Sequence, residues 1–429
     1  MQCDEAIVIL EGFQMVNSLT STPFVNSDRL AQSIESLSQI GQLPLCGVRR
    51  IAYSPEDIQA RNLMQRWMVE AGMSVRIDTA GNIIGRSPGK FPQASALATG
   101  SHIDTVPNGG RYDGAFGVLA GLEVVRVLNE RQMQLNHPLE VIVFTDEEGS
   151  MIGSKAMSGR VINDSACYCR PDGTDIQACL KRVGGNWYNI AQAKRSSKDI
   201  AAFVELHIEQ GPILESMGKQ IGVVEGIVGQ RRYTITVKGS SSHAGSTPMY
   251  MRQDALVAAS QVVLAVNRVA NTRGQQVATV GQMDVLPNVA NVIPGLVEMS
   301  LDIRDLSKAH IDNLIEQMRL NLEAIATDTQ TQIRINPFLD NEPALAEPHI
   351  QQTIAQVCED LELSYMHLPS RASHDAQEIA IFTDMGMIFV PSEAGLSHAE
   401  TEYTSPEQCT QGANVLLHTF LKLDQHYSC

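Results

Sequence analysis

The sequence predicts an α/β protein in which a discontinuous domain with a mixed sheet is interrupted by one inserted block. Short apolar runs alternate with helical patterns before and after this block, as they do in βαβ units. The block itself has the element order βαββαβ, which is typical of a ferredoxin-like split unit. Side chains able to bind metal follow several apolar runs, at the strand ends where open α/β sheets gather ligands.

Composition limits the classes of partner. A chain of 429 residues exceeds the roughly 250–300 residues over which one core keeps growing, so two domains are expected. The formal net charge of -16 disfavours nucleic acid as a partner. We also expect no membrane partner, because no run approaches the roughly 20 apolar residues of a spanning helix.

The termini and cysteines suggest a location. The N-terminal run MQCDEAIVIL carries acidic residues where a secretory signal carries positive charge. The eight cysteines are scattered through a large chain, which indicates reduced thiols and a cytoplasmic protein. The Cys167-Tyr-Cys169 pair has no second pair, so we interpret these residues as structural thiols rather than metal ligands.

The elements before the block are read from periodicity and capping residues. An apolar stripe predicts a helix over 26–40, and an N-cap at Ser54 followed by Pro55 predicts a second helix that ends near Ala71. The segment 162–182 shows no clear period. The other predictions here are strands at 73–78, 82–86, 97–99, 139–144 and 203–207 and a helix at 117–130.

The inserted block is predicted to cover residues 222–337, which leaves 1–221 and 338–429 as the discontinuous domain. The alternation in RRYTITVK indicates a half-exposed antiparallel strand at 231–238. The other predictions are helices at 254–270, 308–326, 349–361 and 406–423 and strands at 277–285, 295–305, 332–337 and 387–390.

The segment GSHIDTVPNGGRYDGAFGVLAG holds the first candidate ligands. His102 offers an imidazole, and the carboxylate of Asp104, two residues on, is expected to accept its other N–H. Asp113 lies 11 residues after His102, beyond a glycine-rich turn that lets the loop fold back onto a metal. Its carboxylate is suited to bridge two cations.

Further candidates follow later apolar runs: Glu147 and Glu148 in TDEEGS, His207 in ELHIEQG and His398 in GLSHAETEYTS. Adjacent residues at a strand end point in different directions, so one glutamate can bind metal while the other acts as a base. A lone histidine or acid is more often a packed or solvated residue. The whole set at strand ends nevertheless predicts a two-metal hydrolase site.

The motifs also carry a resemblance. HIDTVPNGGRYDG, TDEEG, ELHIEQG, SSHAGSTPM, PNVANVIPG, SHDAQE and SHAETEYT occur in this order between about residues 100 and 404. Together they resemble the hydantoinase/carbamoylase branch of the dimetal aminoacylase/carboxypeptidase-type amidohydrolases. That branch includes N-carbamoyl-L-amino acid hydrolases, allantoate amidohydrolases and β-ureidopropionases. The resemblance implies a dimetal exopeptidase-like catalytic domain with the inserted block as a lid and dimerisation domain.

The resemblance implies a role for each residue. Two divalent ions are expected per subunit, with zinc favoured over Mn, Co or Ni. The implied ligands are His102 and His207 for one ion, Glu148 and His398 for the other, and Asp113 as the bridge.

Glu147 is the implied general base, with a metal-bridging water as the nucleophile. The implied substrate-binding residues are Gln210, His243, Asn291 and Arg304, and His243 can also stabilise the oxyanion. His374 is placed at or just behind the ligands.

The implied reaction is hydrolysis of the ureido group of an N-carbamoyl amino acid. Arg304 offers a planar fork for a substrate carboxylate, although a surface ion pair with Asp302 or Asp305 is the alternative. The implied assembly is a homodimer through the inserted block. The sequence departs from the family pattern at Arg371 and Ser373, where many relatives have glycine, and after TDEEG, where relatives carry a few more residues.

Other functions remain as alternatives. Allantoate hydrolysis and β-ureidopropionase activity use the same site, but FTDEEG and GSKAM favour the carbamoylase. An aminoacylase or dipeptidase is disfavoured, because those relatives usually have a carboxylate at the position of His207. A non-catalytic metal-binding protein is disfavoured because all five ligand positions and Glu147 are filled.

Overall fold

The computed structural model describes residues 22–170, 172–272, 274 and 276–428. The N-terminal run used for the targeting prediction, together with Cys3 and Cys429, lies outside these residues. Among the described helices, none combines the length and apolar character needed to cross a membrane.

The α-helices are, in chain order, α1 (Ser27–Ser38), α2 (Pro55–Glu70), α3 (Ala115–Glu130), α4 (Ile152–Ser158), α5 (Ile176–Arg182), α6 (Ile213–Ser216), α7 (Ala255–Ala270), α8 (Lys308–Thr329), α9 (Pro348–Asp360), α10 (Asp375–Ile379) and α11 (Pro406–His426). Short 3₁₀ helices cover Ser165–Tyr168, Trp187–Ala193, Met249–Met251 and Glu393–Gly395.

The strands are β1 (Ser74–Ile77), β2 (Ile83–Ser87), β3 (Ala96–His102), β4 (Leu139–Phe144), β5 (Ile200–Ile208), β6 (Ile221–Ile227), β7 (Gly229–Lys238), β8 (Ser242–His243), β9 (Val277–Thr279), β10 (Met283–Leu286), β11 (Val292–Ile293), β12 (Leu296–Asp305), β13 (Gln332–Asn341), β14 (Ala344–Leu345), β15 (Tyr365–Ser370) and β16 (Asp384–Val390).

Side chains define where the long helices begin. Ser54 accepts the N–H of Asp57 and Pro55 occupies the first turn of α2, as predicted. Asp254 caps α7 by accepting two backbone N–H groups. Ser405 and Gln408 form a reciprocal capping box at the start of α11. These contacts satisfy N–H groups that have no partner within a helix.

The larger sheet has nine strands in the order β1-β2-β4-β3-β5-β16-β6-β14, with β15 paired to β6. The four central strands β4, β3, β5 and β16 run parallel to one another. Strands β1 and β2 run antiparallel to their neighbours, whereas β6 is antiparallel to β16 and β14 but parallel to β15. The predicted α/β class with a mixed sheet is therefore confirmed.

Apolar side chains on both faces of this sheet are buried. On one face, β3, β4 and β5 pack against α1, α3, α9 and α11 in a single cluster. On the other face, Ile142, Phe144 and Phe203 pack with residues of α4 and α10. Burial on both faces explains why the sequences of the central strands are nearly continuous apolar runs.

The second sheet has five antiparallel strands in the order β10-β12-β7-β13, with β9 beside β12. Helices α7 and α8 pack on one face, against alternate residues that include Tyr233, Ile235 and Val237. The predicted alternation of β7 is confirmed by its burial pattern. Its other alternate residues, among them Gln230 and Arg232, lie on the opposite face.

Several elements differ from the sequence predictions. Residues 277–285 form two strands, β9 and β10, rather than one, because the chain breaks its pairing around Gly281. Residues 222–227, which the sequence assigned to the inserted block, pair within the nine-stranded sheet, and β13 continues to Asn341. Helix α5 lies in the segment that showed no period, and β15 was not predicted.

Candidate active site

The parallel strands bring the candidate ligands to one edge of the nine-stranded sheet. His102 is the last residue of β3, and His207 is the penultimate residue of β5. Glu147 and Glu148 follow the end of β4, and His398 lies in the loop after β16. Because these four strands are parallel, their carboxyl ends meet at the same edge.

Asp113 lies at the centre of these residues. Its Oδ1 atom is 3.2 Å from Nε2 of His207 and 3.7 Å from Nε2 of His102. Its Oδ2 atom is 3.2 Å from Nε2 of His398, which is in turn 3.4 Å from Oε1 of Glu148. Each carboxylate oxygen of Asp113 thus faces a different pair of side chains.

The ligand atoms form two groups that share Asp113. His102, Asp113 and His207 form one, and Asp113, Glu148 and His398 form the other, with all atoms of each group within 4.8 Å of one another. Nitrogen and carboxylate donors suit a first-row divalent metal. These donor sets fit the divalent metal centre that the resemblance implies, and a third group, Glu205, His207 and His374, shares His207 with it.

The loop that carries Asp113 is held by contacts that the sequence analysis missed. Glu402, which is buried, accepts the backbone N–H groups of Tyr112 and Asp113 at 3.0 and 3.1 Å. Its other oxygen accepts the hydroxyl of Ser397 at 3.0 Å. Glu402 stands inside the quoted motif SHAETEYT, so its position was visible, but nothing in the pattern gave it a partner.

Gly114 allows the loop to approach the ligands closely. Its φ is +66°, and a Cβ built there would lie 2.4 Å from the ring of His102. Glycine is therefore required both for the backbone conformation and for the space.

Backbone carbonyls orient the two buried imidazoles. Nδ1 of His102 donates to the carbonyl oxygen of Asp104 at 2.9 Å, and Nδ1 of His207 contacts the carbonyl oxygen of Ile208 at 2.9 Å. Both rings therefore turn Nε2 toward Asp113.

The acceptor predicted for His102 was the carboxylate of Asp104, and this detail is wrong. Oδ1 of Asp104 lies 3.9 Å from Nδ1 of His102, whereas Oδ2 accepts the N–H of Glu148 at 3.2 Å. Strand β3 ends at His102, so residue 104 lies outside the strand whose alternation the prediction assumed.

Burial raises the pKa of both glutamates. Burial and the nearby Asp375 carboxylate raise the pKa of Glu147 well above its usual value. Its Oε2 atom is 3.5 Å from Nε2 of His102. Burial and the charge of Asp113 raise the pKa of Glu148 to about 7. Acids concentrated in this way are stabilised by cations.

The three candidate histidine ligands differ in pKa. Burial lowers the pKa of His102 to about 4. Burial alone would lower the pKa of His207, but the hydrogen bond to Asp113 and the charges of Asp113 and Glu205 together outweigh it and raise this pKa to about 9. The hydrogen bond to Asp113 likewise raises the pKa of His398 to about 9.

The metal-ligating candidates line a cleft of about 440 Å³. Among the predicted substrate-binding residues, Gln210 and Arg304 line it, and so does His374. Nε2 of Gln210 donates to Oδ2 of Asp113 at 3.0 Å, while its Oε1 is buried without a partner among the described residues. The cleft lining is His102, Asp113, Glu147, Glu148, Gly149, Met151, His207, Gln210, Gln230, Arg232, Arg304, Ala372, Ser373, His374 and His398.

Arg304 both lines the cleft and makes the ion pair considered as its alternative role. Its Nε and Nη2 donate to the carboxylate of Asp302 at 3.0 and 3.2 Å. Its Nη1 donates to the carbonyl of Arg371 at 2.6 Å. Asp305 does not pair with it and instead accepts the N–H of Ser307 and contacts His310.

Two predicted residues lie elsewhere. His243 on β8 is the cross-strand partner of Val292 on β11, and the N–H of Ala244 donates to the carbonyl of Asn291. His243 and Asn291 are therefore close in the fold, but neither lines the cleft of its own chain. Both are exposed.

His374 lies just behind the ligands. Its ring centroid is 4.6 Å from that of His207, and its Nε2 shares a 2.8 Å hydrogen bond with the hydroxyl of Ser370. His374 therefore lies beside the candidate ligand His207.

Comparison with known proteins defines the class. The profile of peptidase family M20/M25/M40 matches residues 98–422. A solved amidase of the hydantoinase/carbamoylase family from Burkholderia multivorans superposes with a TM-score of 0.87 at 39% identity, over 93% of this chain and 98% of that one. The chain belongs to the M20/M25/M40 family, within its hydantoinase/carbamoylase branch, which confirms the resemblance.

The names of two relatives indicate the chemistry of the branch. The N-carbamoyl-L-amino acid amidohydrolase of Geobacillus stearothermophilus is 39% identical over 407 residues, which cover 94% of this chain and 99% of the relative. The allantoate amidohydrolase of Escherichia coli is 36% identical over 395 residues, which cover 90% and 95%. Both act on C–N bonds, as the predicted hydrolase class requires.

Proposed function

We propose that this chain is a metal-dependent amidohydrolase that cleaves the ureido C–N bond of an N-carbamoyl-L-amino acid. The products are ammonia, carbon dioxide and the amino acid. The observation that carries the proposal is the pair of ligand groups that share Asp113, with Glu147 beside them in the cleft lining.

We assign His102 and His207 to one divalent ion, Glu148 and His398 to a second, and Asp113 to both. Zinc is the favoured metal, with Mn, Co and Ni as alternatives, since availability decides among them at such sites. Two bound ions would polarise the ureido carbonyl and make water acidic enough to attack it.

Side chains of this protein transfer the proton and bind the substrate. Glu147 takes the proton of the attacking water and passes it to the leaving nitrogen; its place in the cleft lining, 3.5 Å from Nε2 of His102, supports this role. Gln210 holds the bridging carboxylate of Asp113 through its amide N–H and has an unpartnered Oε1 free for a substrate N–H. Arg304 keeps two of its five N–H donors for the substrate carboxylate.

We propose that the inserted block is a lid and dimerisation domain. Its βαββαβ order and antiparallel 2-3-1-4 strand arrangement support a ferredoxin-like fold. Next to His243, the side chains of Met249, Tyr250 and Met251 are 75%, 83% and 65% exposed, and such apolar surface commonly marks an interface. A second copy of the chain would then supply His243 and Asn291 to the cleft.

A mixing experiment tests this arrangement. Glu147→Gln and His243→Ala variants, each inactive alone, should regain partial activity when they are unfolded together and refolded as mixed dimers. A monomer in sedimentation, or no recovery in a proven mixed dimer, would count against shared sites.

We keep the cytoplasm as the predicted location. The exposed cysteines Cys46, Cys167 and Cys169 are free thiols, which supports a reducing compartment.

The experiment for the reaction is ammonia release by metal-reconstituted protein from a panel of compounds. The panel holds N-carbamoyl-L-amino acids, N-carbamoyl-β-alanine, allantoate and an N-acetyl amino acid, with chelator-treated protein as the control. Release from an N-carbamoyl-L-amino acid supports the proposal. Release only from allantoate or N-carbamoyl-β-alanine would move the assignment to those enzymes, and hydrolysis of the acetyl compound alone would overturn it.

A further inference from the structure

Arg232 lies in the cleft wall, and both of its terminal nitrogens are without a hydrogen-bond partner among the described residues. Its Nε donates to Oδ2 of Asp302 at 2.8 Å, and its Nη1 and Nη2 make no hydrogen bond to any described residue. Arg304, by contrast, uses all three nitrogens on Asp302 and on the carbonyl of Arg371. Both terminal nitrogens of Arg232 therefore keep all four of their N–H donors for a carboxylate, whereas Arg304 keeps only two donors.

The strand register directs both arginines to the same side. Arg232 is the cross-strand partner of Asp302, and Arg304 is that of Gln230. Alternate residues of β7 and β12 share a face, so all four side chains lie opposite α7 and α8. Asp302 accepts from Gln230, Arg232 and Arg304 together, which fixes the spacing of the two guanidinium groups.

The wall formed by Arg232 and Arg304 separates two cavities. The metal cleft lies on one side, and a second cavity of about 480 Å³ lies on the other. The second cavity is also lined by Thr279, Gln282 and Arg371. Apolar side chains, among them Val277 and Phe338, complete the lining. A substrate held at Arg304 by its α-carboxylate thus has space for its side chain, with Arg232 as a charged group in the wall of that space.

The charged side chains that line the second cavity favour the binding of an anion. Arg232, Arg304 and Arg371 contribute three positive charges, and Asp302 contributes one negative charge. One substrate carboxylate leaves a surplus of positive charge, which a second carboxylate neutralises.

We propose that Arg232 is a specificity-determining residue that binds a side-chain carboxylate, so that the preferred substrates are N-carbamoyl derivatives of acidic L-amino acids. The inference deepens the proposed function and rests on it for the reaction, but not for the binding step. The observation that supports the inference is that the two terminal nitrogens of Arg232 are free of hydrogen bonds to described residues and lie beside the second cavity.

The test compares two isosteric ligands, N-carbamoyl-L-glutamate and N-carbamoyl-L-glutamine. Binding to the metal-loaded protein is measured by calorimetry, and kcat/KM is measured for both. We expect the glutamate compound to be favoured by about 10- to 100-fold, the range for a charge-assisted hydrogen-bonded pair. The Arg232→Gln variant should reduce this ratio toward one, and Arg232→Lys should restore part of it.

Arg231→Gln is the matched control. Arg231 is the adjacent residue, but it pairs with Asp312 and Asp340 away from the cleft lining, so its loss should leave the glutamate-to-glutamine ratio unchanged. Equal binding of the two ligands by the wild type, or an unchanged ratio in Arg232→Gln, overturns the inference. Selective binding of the glutamate compound without turnover of any ureido compound would support the inference while refuting the proposed reaction.

Discussion

Oε1 of Glu402 accepts the backbone N–H of Asp113 at 3.1 Å, although the two residues are 289 positions apart in the chain. The C-terminal motif thus fixes the backbone of the loop that carries the central carboxylate, in addition to supplying His398. Residues that hold a ligand in this way commonly affect metal affinity by about 10- to 100-fold.

Replacement of Glu402 by alanine should weaken metal binding by about tenfold or more, because the N–H groups of Tyr112 and Asp113 lose their acceptor. Glu402→Gln keeps an acceptor oxygen and is the matched control, with close to wild-type affinity. Competition with a chromogenic chelator measures both. Equal affinity in the alanine variant would show that the loop holds its conformation without Glu402.

Glu147→Gln should reduce kcat by about 100- to 10,000-fold while the metal content stays unchanged, because the amide cannot accept the proton of the attacking water. Elemental analysis of the purified variant measures the metals, and ammonia release measures the rate. Glu148→Gln is the informative partner, since it should lose metal as well. A Glu147→Gln enzyme with wild-type turnover would refute the assigned base.

Metal affinity should rise as the pH is raised toward 9. The pKa values of His207 and His398 are both about 9 in the metal-free protein, so at neutral pH a binding metal must displace a proton from each ring. His102, with its pKa lowered to about 4, is already neutral and adds nothing to this dependence.

The measurement is the metal dissociation constant at several pH values from 7 to 9, with proton release followed in weak buffer. Each displaced proton contributes up to about a tenfold gain per pH unit, and the gain should level off above pH 9. The His398→Ala variant should show a shallower slope. A dissociation constant that does not change over this range would contradict the protonated state of both rings.

Gly114→Ala should lower metal affinity by about tenfold or more, because its Cβ would displace the ring of His102. Gly173→Ala is the matched control: its φ is +81°, close to the +66° of Gly114, but no atom lies within 4 Å of its added Cβ. Both variants place a Cβ at a positive φ, but only Gly114→Ala crowds a ligand. Equal metal affinity in the two variants would exclude the ring displacement.

The sequence predicted those parts of the fold whose local pattern is strong. The Ser54-Pro55 cap located α2, and the alternation in RRYTITVK located β7, because side-chain periodicity alone specifies such elements. Helix α5 has only seven residues, too few to show a period. Strand β15 contains Pro369 and alternates weakly, and it lies off the main order of the sheet.

The candidate site was predictable to the extent that its residues stand in motifs. His102, Asp113 and His398 were placed together by motif, and the structure brings them together. The contact of Glu402 with the Asp113 loop joins distant segments, which no local pattern reveals. Arg232 stands in an alternating strand, where only the register with Asp302 shows that it shares the cleft wall with Arg304.

The order of the central strands has a consequence for synthesis on the ribosome. Strand β5 pairs with β3 on one side, but its other neighbour, β16, begins 176 residues after β5 ends. While those residues are being translated, the nascent chain carries a central apolar strand with an open edge, the kind of surface that promotes association with other chains. Chaperone dependence and the yield of folded protein should therefore depend on how quickly the segment between β5 and β16 is synthesised.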